Sequence, residues 1–442
     1  MNSWQSLAGT MADGADNTLI VVLDGRQVGT LVQDRAGQLV LTYDDAWRDL
    51  ATATPLSLSL PLARRMHRGP VVRAFLEGLL PDSDRVLERW ARAYQVSARN
   101  PFALLRHVGE DCAGAAQFVR QDRVEALVAE TGGVEWLSEE ELSRRLRTLD
   151  SDPTAWHLSR TGQFSLAGAQ AKTALCHDPE TGRWGQPWGA IPTTHILKPA
   201  IAGLADHDVN EYLCLAAARH LGLNAVRSQL CAFGDQHVIV VERYDRRRKA
   251  DGRIGRVHQE DLCQALGVPP TMKYQNEGGP TPEQITELLG LAVQPAPLAV
   301  ESIQRFVDAL AFNWVIAGTD AHAKNYSLLH LGQAVRLAPL YDLASALPYD
   351  DMYVPKLRSA MRIGGEYRIG GIGGRQWRRF AADNHLEAAD VVARVADLTD
   401  RIVDAFDLAA QDPAVIGSGS SLPARLLGEI VDRVAWCEAT LS

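Results

Sequence analysis

Two carboxylates and one amide stand in an order that could carry out phosphoryl transfer: Asp320 and Asn325 in Asp320-Ala321-His322-Ala323-Lys324-Asn325, then Asp342 downstream. Singly, Asp and Asn on loops most often cap helices or close turns. The elements around them narrow the meaning. Ile303, Phe306, Val307, Leu310, Trp314 and Val315 form an apolar stripe at helical spacing, which predicts a helix over Ser302 to Ile316 closed by Gly318. Ser327 to Leu331 and Ala334 to Leu337 flank Gly332-Gln333 and predict a β-hairpin. Helix, loop aspartate, asparagine, hairpin and second aspartate is the order of a kinase catalytic loop and its metal-binding aspartate. In that chemistry a carboxylate orients and deprotonates the acceptor hydroxyl, the role predicted for Asp320. Oxygen ligands hold Mg²⁺ against the phosphates, the roles predicted for Asn325 and Asp342. Lys324 or His322 would neutralise charge on the transferring group.

Three weaker signals lie upstream. Ala167-Gly168-Ala169-Gln170-Ala171-Lys172 follows Phe164-Ser165-Leu166, and its small residues would let backbone N–H groups approach phosphate oxygens. It lacks the spacing of a Walker loop, and by itself it equally describes a hairpin turn. Lys198 ends an apolar run, Thr194 to Leu197, where a strand lysine reaches phosphates in kinases; alone it also reads as a solvated edge residue. Glu211, on a helix predicted over Asn210 to His220, is its candidate ion partner. Val240-Val241-Glu242-Arg243-Tyr244-Asp245 joins a strand-rich half to a helical half, so Glu242 and Tyr244 are candidates for the adenine edge and Asp245 for the ribose. Arg246-Arg247-Arg248-Lys249 reads as a solvated loop. In His258-Gln259-Glu260-Asp261 the two acids read as the first turn of a helix, where they suit its dipole, ahead of a metal site.

The elements that must position these residues form an α+β, two-lobed pattern. A polar, disordered-looking start (1–17) precedes short strands at Leu19 to Leu23, Val28 to Val32 and Leu39 to Thr42, with an Asp24-Gly25 turn signal. Helical spacing follows over Val71 to Leu80, Arg85 to Tyr94 and Ser138 to Leu149, the last stopped by Pro153. The predicted division is an N-terminal α+β subdomain (18–150) without a catalytic cluster, a sheet-rich nucleotide-binding lobe (151–242) and a helical catalytic lobe (243–442), with the ligand cleft between lobes. The composition, 46% hydrophobic and 22% charged, is that of a globular protein. No apolar run is long enough to cross a bilayer and no signal peptide is evident, so a cytoplasmic location and no membrane partner are expected. Six scattered cysteines suggest neither disulfides nor zinc. A net charge of −9 argues against autonomous nucleic-acid binding.

Taken together, Ser165 to Lys172, Thr194 to Lys198, Val241 to Asp245, His258 to Gln264, Gly318 to Asn325 and Tyr341-Asp342-Leu343 resemble the HipA family, the kinase toxins of HipBA toxin–antitoxin modules. The resemblance implies a protein-kinase-like fold with an extra N-terminal subdomain, and ATP with Mg²⁺ as cofactors. It implies that Ala167, Gly168, Ala169, Gln170, Ala171 and Lys172 form the phosphate loop, Lys198 the nucleotide lysine, and Glu242, Arg243 and Tyr244 the hinge. His322, Ala323, Lys324, Asn325, Tyr341 and Asp342 complete the ATP–Mg²⁺ site, with Asp320 as catalytic base. Ser165 corresponds to a serine that the family phosphorylates on itself, which would silence the enzyme by expelling the loop. The implied target is an aminoacyl-tRNA synthetase, typically the glutamyl enzyme. The implied partner is a HipB-like helix-turn-helix antitoxin, with operator DNA reached only through that complex. Gly318-Thr319 before Asp320, and Leu-Ala after Asp342, depart from general kinases and make a conventional activation-loop relay unexpected. Two other classes compete: a kinase-like scaffold acting as co-repressor, with Arg362 to Arg379 touching DNA, and a metal-dependent phosphohydrolase using Asp320, His322 and Asp342.

Overall fold

The computed structural model describes residues 17–156 and 164–441, so most of the start read as disordered lies outside the described residues. The first sheet is antiparallel, in the order β4-β3-β2-β1-β5: β1 (Thr18–Leu23), β2 (Arg26–Gln33), β3 (Leu39–Tyr43), β4 (Met66–Arg68) and β5 (Ala116–Val119). Asp24 and Gly25 both take positive φ, 44° and 78°, the geometry of a tight β1–β2 turn. β1 is apolar throughout because both its faces are covered. Leu19, Val21 and Leu23 enter the main N-terminal core, while Ile20 and Val22 pack with Val119 and Leu127. Helices α1 (Pro70–Gly78), α2 (Asp84–Tyr94) and α3 (Pro101–Val108) complete this subdomain.

The second sheet has six strands in the order β10-β11-β9-β7-β8-β6: β6 (Gly132–Trp136), β7 (Thr173–His177), β8 (Trp184–Gly189), β9 (His195–Pro199), β10 (Ser228–Phe233) and β11 (Gln236–Glu242). β6 precedes residue 150 in sequence yet pairs with β8, and α4 (Glu139–Ser151) packs on β9, β10 and β11. Phe164 lies outside the strands of this sheet and forms an isolated parallel bridge to Asp111. On β11, Val238 and Val240 face the N-terminal core, and Ile239 and Val241 face α5 (His207–His220). A strand sandwiched this way reads as an uninterrupted apolar run.

The helical lobe is built on α6 (Pro282–Ala292), α7 (Ala296–Val315), α8 (Gly374–Asp383), α9 (Ala388–Ala410) and α10 (Leu422–Leu441). Phe306, Val307, Leu310 and Trp314 of the predicted stripe are all buried. Ala317, not Gly318, takes the left-handed conformation after α7 (φ 52°). Gly318 is required for another reason: a Cβ there would sit 2.3 Å from Asn313 Oδ1. Past β12 (Arg246–Arg248) and β13 (Ile254–Arg256), the segment His258–Asp261 is a strand, β14, paired with β15 (Ser327–Leu331), which pairs in turn with β16 (Ala334–Leu337). Glu260 is therefore not in a helix; its carboxylate meets His330 Nε2 at 2.8 Å. Asp261 alone behaves as predicted, capping the short helix at Leu262–Ala265.

Candidate active site

A cleft of about 310 Å³ runs between the lobes and is lined by the 167–172 loop, Lys198, Glu211, Glu242 to Asp245, Asp320, His322, Lys324, Asn325, Tyr341 and Asp342. Lys198 sits on the central strand β9, whose register against β11 pairs Lys198 with Ile239. Its Nζ lies 2.7 Å from Glu211 Oε1 and 2.8 Å from Asp342 Oδ1. Burial would lower the lysine pKa, but the two carboxylates override it and hold the group strongly cationic. Asp342 shows the mirror effect: burial would raise it, yet Lys198 and Lys172 keep it well below the usual carboxylate range. The second oxygen of Glu211 is buried with no hydrogen-bond partner, and the Asp342 side chain is 39% exposed. The cleft thus holds carboxylate capacity that the protein leaves unused.

Asp342 has φ 58°, a left-handed backbone that is costly for a non-glycine residue and persists only where the surroundings enforce it. Anchors on both sides enforce it. Leu340 N donates to Asn224 O and Val226 N to Leu340 O, at 2.7 and 2.9 Å. Beyond Asp342, Asn210 on α5 exchanges two bonds with the Ser345 backbone, 2.8 Å to its carbonyl and 3.0 Å from its N–H. The helix that supplies Glu211 therefore also sets the loop that supplies Asp342.

On the opposite wall, Asp320 is 68% exposed and accepts a short hydrogen bond from Tyr274. Asn325 Nδ2 donates to Asp320 O at 2.7 Å, which commits the amide nitrogen and leaves Oδ1 as the ligand atom. His322 is pushed down to about 4 by burial, so it is neutral at physiological pH and supplies no charge to a phosphoryl group. Lys324 stays charged, but its ammonium is already paired with Asp82. Neither of the two predicted charge neutralisers is therefore a free cation here. In the glycine loop, Gly168 has φ +99°, and a Cβ would approach Lys172 Nζ to 2.7 Å. Lys172 donates to Ala167 O at 2.7 Å and is lowered to about 8 by burial and by Lys198, so it shapes the loop from inside. Ser165 is fully buried and donates to Leu79 O at 2.7 Å.

The likeness of the chain to known proteins covers both halves. The family model described as the HipA-like C-terminal domain matches residues 164–406, more than half of the chain, and the HipA N-terminal domain matches 19–119. The chain belongs to the HipA family. Among relatives, the protein Y4mE of Sinorhizobium fredii is 38% identical over 88% of this chain and 91% of its own length. The serine/threonine-protein kinase toxin HipA of Shewanella oneidensis is 29% identical, over 88% of each. The solved complex of Shewanella oneidensis HipA with HipB and operator DNA contains a chain that superposes with a TM-score of 0.78 at 26% identity, covering 96% of this chain and all of that one.

Against this HipA-family frame, three predicted roles need correction. Asp245 does not face a ribose. It is buried, accepts from Arg243 at 3.0 and 2.8 Å, and accepts from Gly114 N at 2.6 Å. The Arg243 guanidinium points into the same buried cluster, its N–H donates to Thr194 O at 2.9 Å and its carbonyl accepts from Arg246 N at 3.2 Å, so this residue keeps no polar group for a nucleotide. Arg246 is not solvated: it bonds Asp111 Oδ1 at 2.8 Å and the carbonyls of Gly114 and Thr193. The N-terminal subdomain, read as lacking a catalytic cluster, nonetheless supplies Asp82 to the cleft wall. Lys273, Tyr274 and Asn210 were also missed. Each acts on partners distant in the chain, which no local pattern in the sequence announces.

Proposed function

We propose that the chain is an ATP- and Mg²⁺-dependent serine/threonine protein kinase acting as the toxin of a toxin–antitoxin pair. The observation that carries this reading is the convergence of Lys198, Glu211 and Asp342 across from Asp320 and Asn325 in one cleft. The donor set fits the cofactor. Among the described residues no three His, Cys, Asp or Glu side chains form an all-protein metal cage, but Mg²⁺ at kinase sites takes one or two carboxylates with phosphate and water oxygens. Asp342 and Asn325 Oδ1 would hold the metal, and Lys198 and the 167–172 backbone would hold phosphate oxygens. Glu242 and Tyr244 would bind the adenine edge, with Tyr341 stacked beside Tyr244 at 5.8 Å. Bound ATP–Mg²⁺ supplies the phosphoryl group and neutralises its oxygens. Asp320, exposed at the cleft rim, orients the acceptor hydroxyl and takes its proton.

The finer assignments rest on family likeness. The acceptor is a translation component, an aminoacyl-tRNA synthetase with the glutamyl enzyme favoured, and its modification stops growth. Ser165 is the self-modification site, and its burial against Leu79 means that its loop must leave before it can react. A HipB-like helix-turn-helix antitoxin is the partner, bringing the chain to operator DNA; the solved HipA–HipB–DNA complex supports this. The test is transfer from γ-labelled ATP in the purified chain, followed by phosphoproteomics after brief expression. Wild type should incorporate phosphate, and Asp320→Ala and Asp342→Ala should not, at unchanged circular dichroism. Nucleotide binding without transfer to any protein would instead favour the co-repressor scaffold.

A further inference from the structure

The N-terminal subdomain contacts both the phosphate loop and the catalytic loop through one turn, Leu79 to Asp82, just beyond α1. Leu79 O accepts from Ser165 Oγ at 2.7 Å, ahead of the glycine loop. Asp82 N donates to Gly168 O at 3.1 Å, within that loop. The Asp82 carboxylate then spans the cleft. One oxygen pairs with Lys324 of the catalytic loop, and the other accepts from Lys273 Nζ at 3.0 Å. Lys273 in turn is tied to the catalytic loop through its own carbonyl, which accepts from Ala323 N at 3.3 Å, and its neighbour Tyr274 bonds Asp320. The Asp82 side chain is only 10% exposed. Burial would raise its pKa, but Lys324 and Lys273 keep it below the ordinary value, so it stays anionic.

We infer that Asp82 is a positioning residue that locks the phosphate loop and the catalytic loop into one spacing, making the N-terminal subdomain part of the catalytic apparatus. This rests on the kinase reading above. A rigid link is needed there because the phosphoryl donor is held by one loop and the acceptor base by the other. A misplacement near 1 Å between reacting groups costs roughly 10²-fold in rate. The lock also explains why the Ser165 loop and Asp82 share a turn: removing the loop removes one side of the clamp.

The test uses full-length enzyme in a Ser165→Ala background, with the full-length Asp320→Ala chain as phosphate acceptor and γ-labelled ATP as donor. Asp82→Asn keeps the size and removes the charge. Its kcat should fall about 30- to 100-fold, while the KM for ATP and binding of a fluorescent ATP analogue change less than about threefold, and Asp82→Glu should recover part of the loss. Lys273→Met should lower kcat in the same direction and add little to Asp82→Asn in the double variant. A lower melting temperature with unchanged kcat per folded molecule would overturn the inference, reducing Asp82 to a contact between domains. Equal loss of ATP binding and turnover would overturn it too, placing Asp82 in nucleotide binding. If the Ser165→Ala parent moves no phosphate, the kinase reading fails rather than this one.

Discussion

Two buried charge clusters in this molecule look alike in composition and differ in completeness. At the joint between subdomain and lobes, Asp111 and Asp245 face Arg243, Arg246 and Arg256. Asp111 also accepts from Thr193 N and Thr193 Oγ1, at 3.1 and 2.7 Å, and every carboxylate oxygen there has a partner. In the cleft, Lys198 faces Glu211 and Asp342, yet Glu211 Oε2 is an orphan and Asp342 opens to solvent. Both Asp111 and Asp342 are held well below the ordinary carboxylate range by neighbouring cations, in spite of burial. Perturbed ionisation therefore does not separate these two clusters; unspent carboxylate capacity beside a solvent opening does. A completed cluster fixes domains, and an incomplete one at a solvent opening is prepared for a ligand.

The comparison can be broken from either side. Asp320→Ala should cost the largest amount, about 10²–10⁴-fold in phosphoryl transfer for loss of a general base, with the urea midpoint unchanged; Asp342→Ala should also abolish most transfer, but with a lower urea midpoint, because Lys198 loses one of its two anions. Next, Asp111→Ala should destabilise the fold by about 3–5 kcal/mol, because it strands buried guanidinium groups, with the activity of the remaining folded fraction retained. An activity loss without a stability loss at Asp111, or the reverse at Asp320, would erase the distinction. Glu211→Gln sharpens it. Lys198 would keep Asp342 but lose one anion, and transfer should fall by about tenfold, the equivalent of roughly 1.4 kcal/mol, with a small change in melting temperature.

How much of this was legible in the sequence follows the same division. The β15–β16 hairpin and the α7 stripe were readable because short-range periodicity sets them; the Lys198–Glu211 pair was only a candidate from residue type, which the strand–helix packing brings together. β14 was misread because Glu260 and Asp261 look like a first helical turn. What makes Glu260 a strand residue is pairing with Leu328 and a bond to His330, both remote in sequence. Arg246 resembled a solvated loop for the same reason, since Asp111, its compensating anion, lies in the other subdomain. Asp82 gave no signal because its meaning comes from two lysines contributed by the opposite wall. Local chemistry was visible, and long-range charge compensation was not.

The smallest predicted effect tests the joint from its second buried polar group. His258 on β14 is fully buried between subdomain and lobe, with Nε2 at 2.9 Å from Leu56 O and its ring 5.2 Å from His330. Burial, and then His330, push it down to about 3, with Leu56 O and Asp245 opposing. A histidine depressed in the folded state is neutral there while the unfolded chain takes up a proton near the ordinary value of 6.5. Stability from this group is thus fully present above the unfolded pKa and drains away as pH falls from about 6.5 toward 3. Between pH 7 and pH 6 the loss should be roughly 0.7 kcal/mol from His258 alone. His195, His207 and His322, each lowered to about 4, add to the same slope. His258→Gln keeps a donor for Leu56 O and removes the proton site. Its unfolding free energy should therefore drop by about 0.7 kcal/mol less than wild type over that interval. An identical slope in the variant would mean that acid reaches the fold through the other buried histidines and not through the joint.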